Sequence, residues 1–426
     1  MSSVFIRTWG CTLNQSDSDA MRALLRNYPF AKSEEEADVV VLNTCTVKGA
    51  TENKILNHLE KLAAHGKKVV VAGCLTANSG RIREITPEAP LVGAGSTSRI
   101  CEAVEIALDG RHPVFFNEFG NKSGIAREMG APIARVPIEE GCVSRCAFCQ
   151  TKIARPLFFS YPPKEVVRMV EEAVRNGARE IQLTGMDTGA YGLDIKTDLA
   201  KLLRELCKID GDFRIRLGMI NPQHVKRLGP ALVEAFGSGK MFKFLHIPVQ
   251  SGSEKVCREM KRGHTVADFE NAVKEFRTAY PDITIATDVI VAYPTESADD
   301  YAKTVELLER VRPDVVNLSR FTPRPGTEAK KLKQMKSETA KQRTREMHAL
   351  IREIADGNAQ KFLGREMEAL VLEKGNRGQV KGRTDGYRQV VLKAGKALMG
   401  KRVTFIVEKA THSSLFGKII REAGRL

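Results

Sequence analysis

A chain of 426 residues, 42% of them hydrophobic, is long enough for roughly two to four domains with packed cores. Nine cysteines, an odd number, argue against a disulfide framework and for an intracellular protein with reduced thiols. The first seven residues lack a signal peptide's pattern and no apolar run approaches the roughly 18 residues of a membrane span, so a cytoplasmic location with no membrane partner is expected. The net charge of +15 is concentrated: residues 321–426 hold 24 Lys and Arg against 11 Asp and Glu, leaving 43 against 41 for the first 320. A basic excess at one end is the footprint of a polyanion-binding module, favoured here over a merely solubilising surface.

Val4-Phe5-Ile6 begins a strand, Ser16 to Asp19 offer a helix N-cap, and Asp38 to Leu42 and Lys68 to Gly73 read as buried parallel strands. Helical periodicity covers 51–64 and 98–108. Strands alternating with helices predict an α/β sandwich with a parallel sheet. Cys11, Cys45 and Cys74 each fall just past a predicted strand. The carboxyl ends of parallel strands share one edge, where ligands gather. The three thiols are therefore expected to converge as a metal site, the competing reading being three buried cysteines acting as small hydrophobes. Cys101, inside the next helix, is read as core, and residues 116–131 as a linker rich in Gly, Asn and Ser.

The loop Gly141-Cys142-Val143-Ser144-Arg145-Cys146-Ala147-Phe148-Cys149 carries three cysteines at C-x3-C-x2-C spacing, with no fourth cysteine or histidine nearby. Structural zinc wants four protein ligands. A [4Fe–4S] cluster also takes four ligands, so three cysteines leave one iron open for a substrate or cofactor. Around this loop a strand-then-helix pattern repeats. Strands are predicted at 133–138, 180–184, 213–217, 244–247, 284–291 and 315–318, and helices include 163–176, 199–208, 266–280 and 299–311. Six such units predict a partial (β/α)6 barrel with its chemistry at the carboxyl ends of the strands. Cys207 and Cys257 lie on helices without partners and are read as structural, and a charged helix is expected over 330–356. From Phe362 onward short β-type runs at 367–372, 388–392 and 402–407 alternate with glycines, predicting a small antiparallel β-barrel of the OB type. From Lys361 this segment has 15 basic against 6 acidic residues, Tyr387 is a candidate for stacking on a base, and Phe405 is read as core.

The strand-end triad, the three-cysteine loop and the basic C-terminal barrel together resemble the radical S-adenosylmethionine (SAM) methylthiotransferase family. Gly10-Cys11-Thr12-Leu13-Asn14, Asn43-Thr44-Cys45, His246 to Ser253, Thr287 to Val291 and Pro325-Gly326-Thr327 match its motifs, and the resemblance covers nearly the whole chain. Val47 to Asn53, Cys149 to Arg155 and Asp187 to Gly192 resemble the archaeal and eukaryotic branch. That branch adds a methylthio group to C2 of N6-threonylcarbamoyladenosine next to the anticodon of tRNA. One departure is Ala292-Tyr293-Pro294-Thr295-Glu296-Ser297, where the family reads G-F-P-G-E-T.

The resemblance implies domains at 1–127, 128–360 and 361–426, the last a TRAM domain that binds RNA. It implies a [4Fe–4S] cluster on Cys142, Cys146 and Cys149 that holds and cleaves SAM, and a second on Cys11, Cys45 and Cys74 that delivers sulfur. Phe148, Asp187, Thr188, Gln250 and Ser251 are candidates for the SAM site, each polar one having a competing role in closing its loop. Arg324 is a candidate for a phosphate or for the threonylcarbamoyl carboxylate. Expected partners are tRNA, SAM, an electron donor and a sulfur source. The alternatives are a methylthiotransferase for isopentenyladenosine in tRNA or for a ribosomal-protein aspartate, and a non-catalytic, metal-stabilised RNA-binding protein.

Overall fold

The computed structural model describes residues 2–47, 49–111, 114–120, 122, 124–376 and 378–422. Lys48, just after the second cysteine motif, Asn121 and Ser123 of the Gly- and Asn-rich stretch, and residues 423–426 of the C-terminal segment lie outside the described residues.

The N-terminal unit is a parallel sheet in the order β1 (Val4–Thr8), β2 (Val39–Thr44), β3 (Lys68–Gly73), β4 (Leu91–Gly93) and β5 (Phe115–Phe116). Every residue of β2 is buried, because helices cover both faces. Val40 and Leu42 pack against Ile55, Leu56 and Leu59 of the helix Gly49–Ala64. Val39 and Val41 pack against Met21 and against Ile100 to Val104 on the other side. The expected sandwich is therefore present. The expected N-cap at 16–19 is not. That helix starts at Thr12, and Ser16, Asp17 and Ser18 lie inside it, buried. Asp17 and Ser18 serve partners beyond the helix, described below, while Ser16 Oγ is buried without a hydrogen-bond partner. Cys101 sits in the helix Ile100–Asp109, partly buried, with its thiol donating to Leu24 O.

Six parallel strands follow, as expected: β6 (Ile133–Pro137), β9 (Glu180–Thr184), β10 (Arg214–Leu217), β11 (Phe244–His246), β12 (Thr284–Val291) and β13 (Val315–Arg320). The short antiparallel pair β7 (Glu139–Glu140) and β8 (Phe159–Ser160) intervenes after β6. The six form two three-stranded sheets joined through β10 and β11, where Ile215 bridges Met241, giving an open partial barrel. Helices at Pro163–Arg175, Leu199–Cys207, Val266–Ala279 and Ala298–Val311 cover its outside. The Val266 and Ala298 helices begin in capping boxes, Thr265 with Asp268 and Ser297 with Asp300. The charged helix runs from Ser337 to Gln360, and 328–331 form a separate turn. The start shifts because Lys336 is extended.

The C-terminal unit is a closed barrel of β14 (Glu366–Lys374), β15 (Gln379–Thr384), β16 (Gln389–Lys393), β17 (Arg402–Ala410) and β18 (Leu415–Glu422), in the order 14-15-16-18-17. Phe405 is fully buried in its core. This barrel seats on the six-stranded barrel at the starts of its strands. Leu370 and Leu372 of β14, with Tyr387, pack against Phe242, Phe244 and Ala286. The Tyr387 ring lies 4.9 Å from Phe242 and 5.0 Å from Phe244. Its hydroxyl donates to Glu180 Oε1 at 2.5 Å. The expected stacking of Tyr387 on a base is thus corrected: the ring is occupied by protein, at the barrel end away from the cysteine loop. Arg388 adds an ion pair to Asp314 at 2.5 Å. Tyr387→Phe removes the bond to a fully buried carboxylate. Thermal denaturation is expected to show a loss of about 1–3 kcal/mol, with tRNA affinity unchanged.

Candidate active site

The cysteine loop leaves β7 through Gly141, at φ +74°, where an added Cβ would lie 2.1 Å from Leu157 O. Only glycine fits this turn. The loop is pinned at its middle, since Ala147 N donates to Met260 O and Ala147 O accepts from Ala329 N, both at 3.0 Å. Lys152 Nζ donates to the carbonyls of Cys142 (3.0 Å) and Ser144 (2.5 Å). Phe148 packs against Ala147, Val256, Met260 and Tyr293. Two sulfurs receive donors: Ser144 N reaches Cys142 Sγ at 3.4 Å and Arg262 Nη1 reaches Cys146 Sγ at 3.1 Å. Burial, helped by the Asp187 charge, pushes the Cys142 thiol up to about 12, and burial also raises Cys149.

The second triad gathers at the carboxyl edge of the N-terminal sheet. An added Cβ on Gly10 would lie 2.6 Å from Cys45 Cβ, so the Gly10-Cys11 turn rests directly on Cys45. Asn14 organises the edge. Its Nδ2 donates to Trp9 O and Thr44 O, and its Oδ1 accepts from Cys74 Sγ at 3.5 Å. Asn43 Nδ2 donates to Asn14 O and to Ser18 Oγ, which accounts for the buried serine in that helix. Val47 N donates to Cys45 Sγ at 3.4 Å. Burial raises the Cys45 thiol to about 11, with Cys11 and Cys74 adding to it. Among the described residues no three His, Cys, Asp or Glu side chains close on a single metal ion. Neither triad is a one-ion cage.

The two triads meet through Arg155, six residues after Cys149. Its Nε donates to Cys74 Sγ at 3.4 Å, Nη1 to Glu140 Oε2 at 2.5 Å, and Nη2 to Asn14 Oδ1 at 3.1 Å and to Asp17 Oδ2. Lys122 Nζ completes the set, 2.6 Å from Asp17 and 2.7 Å from Glu140. All four charged side chains are buried. Burial works to raise the Asp17 carboxyl, but the Arg155 and Lys122 charges outweigh it and hold it below the usual range. The sequence reading missed this quartet. The available signal was the charged pair Glu139-Glu140 beside the cysteine loop.

Asp187, Thr188, Gln250 and Ser251 all lie just past barrel strands, around the cysteine loop. Asp187 is fully buried. Its carboxylate accepts from Asn221 N (3.1 Å) and Nδ2 (2.6 Å), and His224 Nε2 stands 3.3 Å away. Burial is outweighed by these partners, so the carboxyl stays below its ordinary value. Thr188 Oγ1 donates to Met219 O at 2.9 Å. Ser251 Oγ lies 3.3 Å from Thr304 Oγ1 and accepts from Ser253 N. These three side chains close their loops. Gln250 differs: it holds φ +75°, a conformation costly for a non-glycine residue. Arg324 is buried, with Nη2 donating to Thr46 O (2.5 Å) and Oγ1 (2.9 Å) and pairing with Glu52 Oε2 at 2.7 Å. It joins the N-terminal unit to the barrel, and Thr46 in turn donates to Gln150 Oε1 at 2.5 Å.

Comparisons with known proteins agree with this arrangement. The family descriptions matching the chain are the Radical SAM superfamily over residues 136–308, the uncharacterized protein family UPF0004 over 3–93 and the TRAM domain over 360–420. Among solved structures, the radical SAM methyltransferase TsrM of Kitasatospora setae superposes with a TM-score of 0.55 at 14% identity, covering 77% of each chain. The cobalamin-dependent SAM radical enzyme OxsB superposes with a TM-score of 0.51 at 12% identity, over 82% of this chain and 56% of that one. These show the shared fold. A protein of Pyrococcus abyssi is 39% identical over 99% of this chain and 100% of its own. One of Drosophila melanogaster is 35% identical over 98% and 77%, and one of Homo sapiens 33% over 99% and 75%. All three are named for threonylcarbamoyladenosine tRNA methylthiotransfer. Fold and matches define a radical SAM transferase with a C-terminal TRAM domain. The chain belongs to the family of threonylcarbamoyladenosine tRNA methylthiotransferases. Among the described residues no helix is long and apolar enough to cross a membrane.

The motif departure is visible in the backbone. Ala292 holds φ +60°, a left-handed conformation for which the family's glycine is suited. The turn is nonetheless kept, because Ala292 N donates to Glu296 Oε1 at 3.0 Å and Arg343 ties Glu296 to the long helix at 2.5 Å. Ala292→Gly is expected to raise stability by about 1 kcal/mol, read as a higher Tm, with SAM affinity retained.

Proposed function

We propose that Cys142, Cys146 and Cys149 hold one [4Fe–4S] cluster and Cys11, Cys45 and Cys74 a second, the two serving one methylthiolation of tRNA-borne N6-threonylcarbamoyladenosine. The observation that carries this reading is Arg155, which is held by the chain of one triad and donates to a sulfur of the other. Both triads fit such a group. Each offers three thiols, and in each the sulfurs already receive N–H donors of the kind that tune clusters. When bound, the clusters and SAM supply the radical and sulfur chemistry that an unreactive C–H bond demands.

The chain's own residues prepare the site. The buried thiols stay protonated until metal arrives, so cluster insertion releases protons. Glu139 accepts from Asp187 N at 2.7 Å and holds the loop after β9. Gly185 permits this, because an added Cβ would strike Glu139 Oε1 at 2.0 Å. Phe148 and Gln250 face the SAM site in this reading. Asp187, Thr188 and Ser251 position the loops that form it. Exposed Lys374, Lys393, Lys409 and Lys418 on the C-terminal barrel grip the tRNA backbone. The reaction consumes an electron and a sulfur atom, so a reductant and a sulfur source complete the set of partners.

Two experiments test the reading. Cys45→Ala and Cys142→Ala should each bind about four irons per chain where the wild type binds about eight. Nucleoside mass spectrometry should find methylthio product with neither variant, while the reduced Cys45→Ala protein should still cleave SAM. Full iron content in Cys45→Ala would sink the second cluster. Separately, Lys393→Glu should weaken tRNA binding and reduce the slope of log K against log salt by about one. An unchanged slope removes Lys393 from the RNA surface.

A further inference from the structure

The interior of the six-stranded barrel holds cations that the cysteine sites do not use. Ile181, Leu183, Ile215 and Leu217 point outward into the core beneath the helices. Strand alternation therefore turns Gln182 and Arg216 into the barrel. The register places Arg135 beside Gln182 and Gln182 beside Arg216, making one row across β6, β9 and β10. Beneath the row lies the apolar floor formed with the C-terminal barrel. The Arg216 guanidinium stands 5.2 Å from the Phe244 ring centroid and 6.0 Å from that of Tyr387.

Arg216 is partly buried, yet among the described residues it pairs with no carboxylate and donates no hydrogen bond. Arg135 reaches only Asp19, at 3.5 Å, and its Nε is buried without an acceptor. The interior acids are engaged elsewhere. Glu180 Oε1 accepts from the Tyr387 hydroxyl and from Gln182 Nε2, and Asp288 Oδ1 lies 3.0 Å from His246 Nε2 and 2.8 Å from Asn317 Nδ2. Asp19 meets Arg135, which leaves Arg216 as the guanidinium on this row that, among the described residues, has neither a carboxylate nor a hydrogen-bond acceptor and is open to an incoming anion.

We propose that Arg216, supported by Arg135, is the subsite for the carboxylate of the threonylcarbamoyl group. This rests on the family's substrate. The substituent hangs from N6 of the adenine, so its carboxylate is several bonds from C2. The row sits at a matching depth. Gln182 precedes the strand end at Thr184 by two residues, about 7 Å at 3.3 Å per residue. A planar guanidinium suits a carboxylate as a two-pronged partner. Arg324, the other candidate, is committed to Thr46 and Glu52.

The test uses the full-length protein and three tRNAs: one carrying threonylcarbamoyladenosine, one with its carboxylate converted to the amide, and one with unmodified adenosine. The wild type should prefer the first by about tenfold or more in Kd, the range of a hydrogen-bonded charge. In Arg216→Gln the affinity for the first should fall to that for the other two, and Arg216→Lys should recover part of the preference. Arg135→Gln, away from the apolar floor, should reduce the same preference. A uniform loss across all three tRNAs would mark Arg216 as floor packing and overturn the subsite, as would wild-type binding of the amide as tight as of the acid. Failure of the wild type to methylthiolate the first tRNA would instead overturn the family reading, and the subsite with it.

Discussion

The relation between the two cysteine sites depends on four buried charges, Asp17, Lys122, Glu140 and Arg155. Two acids and two bases sum to zero, so the group is neutral as a whole while each member is costly alone. Such a set contributes little net stability compared with a well-packed apolar cluster. It contributes specificity, because no member tolerates displacement from the others. Asp17 belongs to the first helix of the N-terminal unit, Glu140 and Arg155 flank the cysteine loop, and Lys122 comes from the connection between the units. The quartet therefore fixes how the two thiol sets face each other. Its contact with Cys74 carries that constraint to a sulfur atom.

Strand β7 divides its labour by simple alternation. Successive side chains of a strand point to opposite sides. Glu140 turns toward the quartet and the second triad, while Glu139 turns toward the loop after β9. Burial raises the Glu139 carboxyl well above its ordinary value, with the neighbouring Asp187 and Glu140 charges adding to the effect. Adjacent residues thus tie the cysteine loop both to the quartet and to the loop after β9, and Gly141 then turns the chain into the loop itself.

Much of this was legible in the residues. Parallel strands declare themselves as β-branched runs, and the three strand-end cysteines follow from where those runs stop. The six barrel strands fell within a residue or two of expectation for the same reason. What was not legible has a common cause. Ser16, Asp17 and Ser18 look like a helix cap because small polar residues cap helices, yet all three lie inside the helix, and Asp17 and Ser18 face partners distant in sequence. Tyr387 and Arg324 look like ligand contacts because they are aromatic or charged in polar stretches, yet both join units. Strand β15 offers Val380 as its one apolar residue, with Gly382 and Thr384 at the other buried positions, and in β18 the apolar residues fall in adjacent pairs instead of alternating, so neither shows the period-two pattern of a half-buried strand. Local pattern reports which element forms, and it cannot report which distant element a polar side chain will meet.

The C-terminal barrel illustrates the consequence for function. Its charge and its surface lysines suit the proposed role of an RNA grip. Its inner side does something else. Leu370, Leu372 and Tyr387 close the floor of the six-stranded barrel, and Arg216 stands on that floor. The element proposed to hold the tRNA backbone therefore packs directly against the base of the barrel interior proposed to receive the modified nucleotide. A shift of the barrel would move the floor, and with it Arg216, the cation proposed to meet the substrate. On that proposal, binding of the tRNA body and placement of one adenosine are linked through a single packed interface.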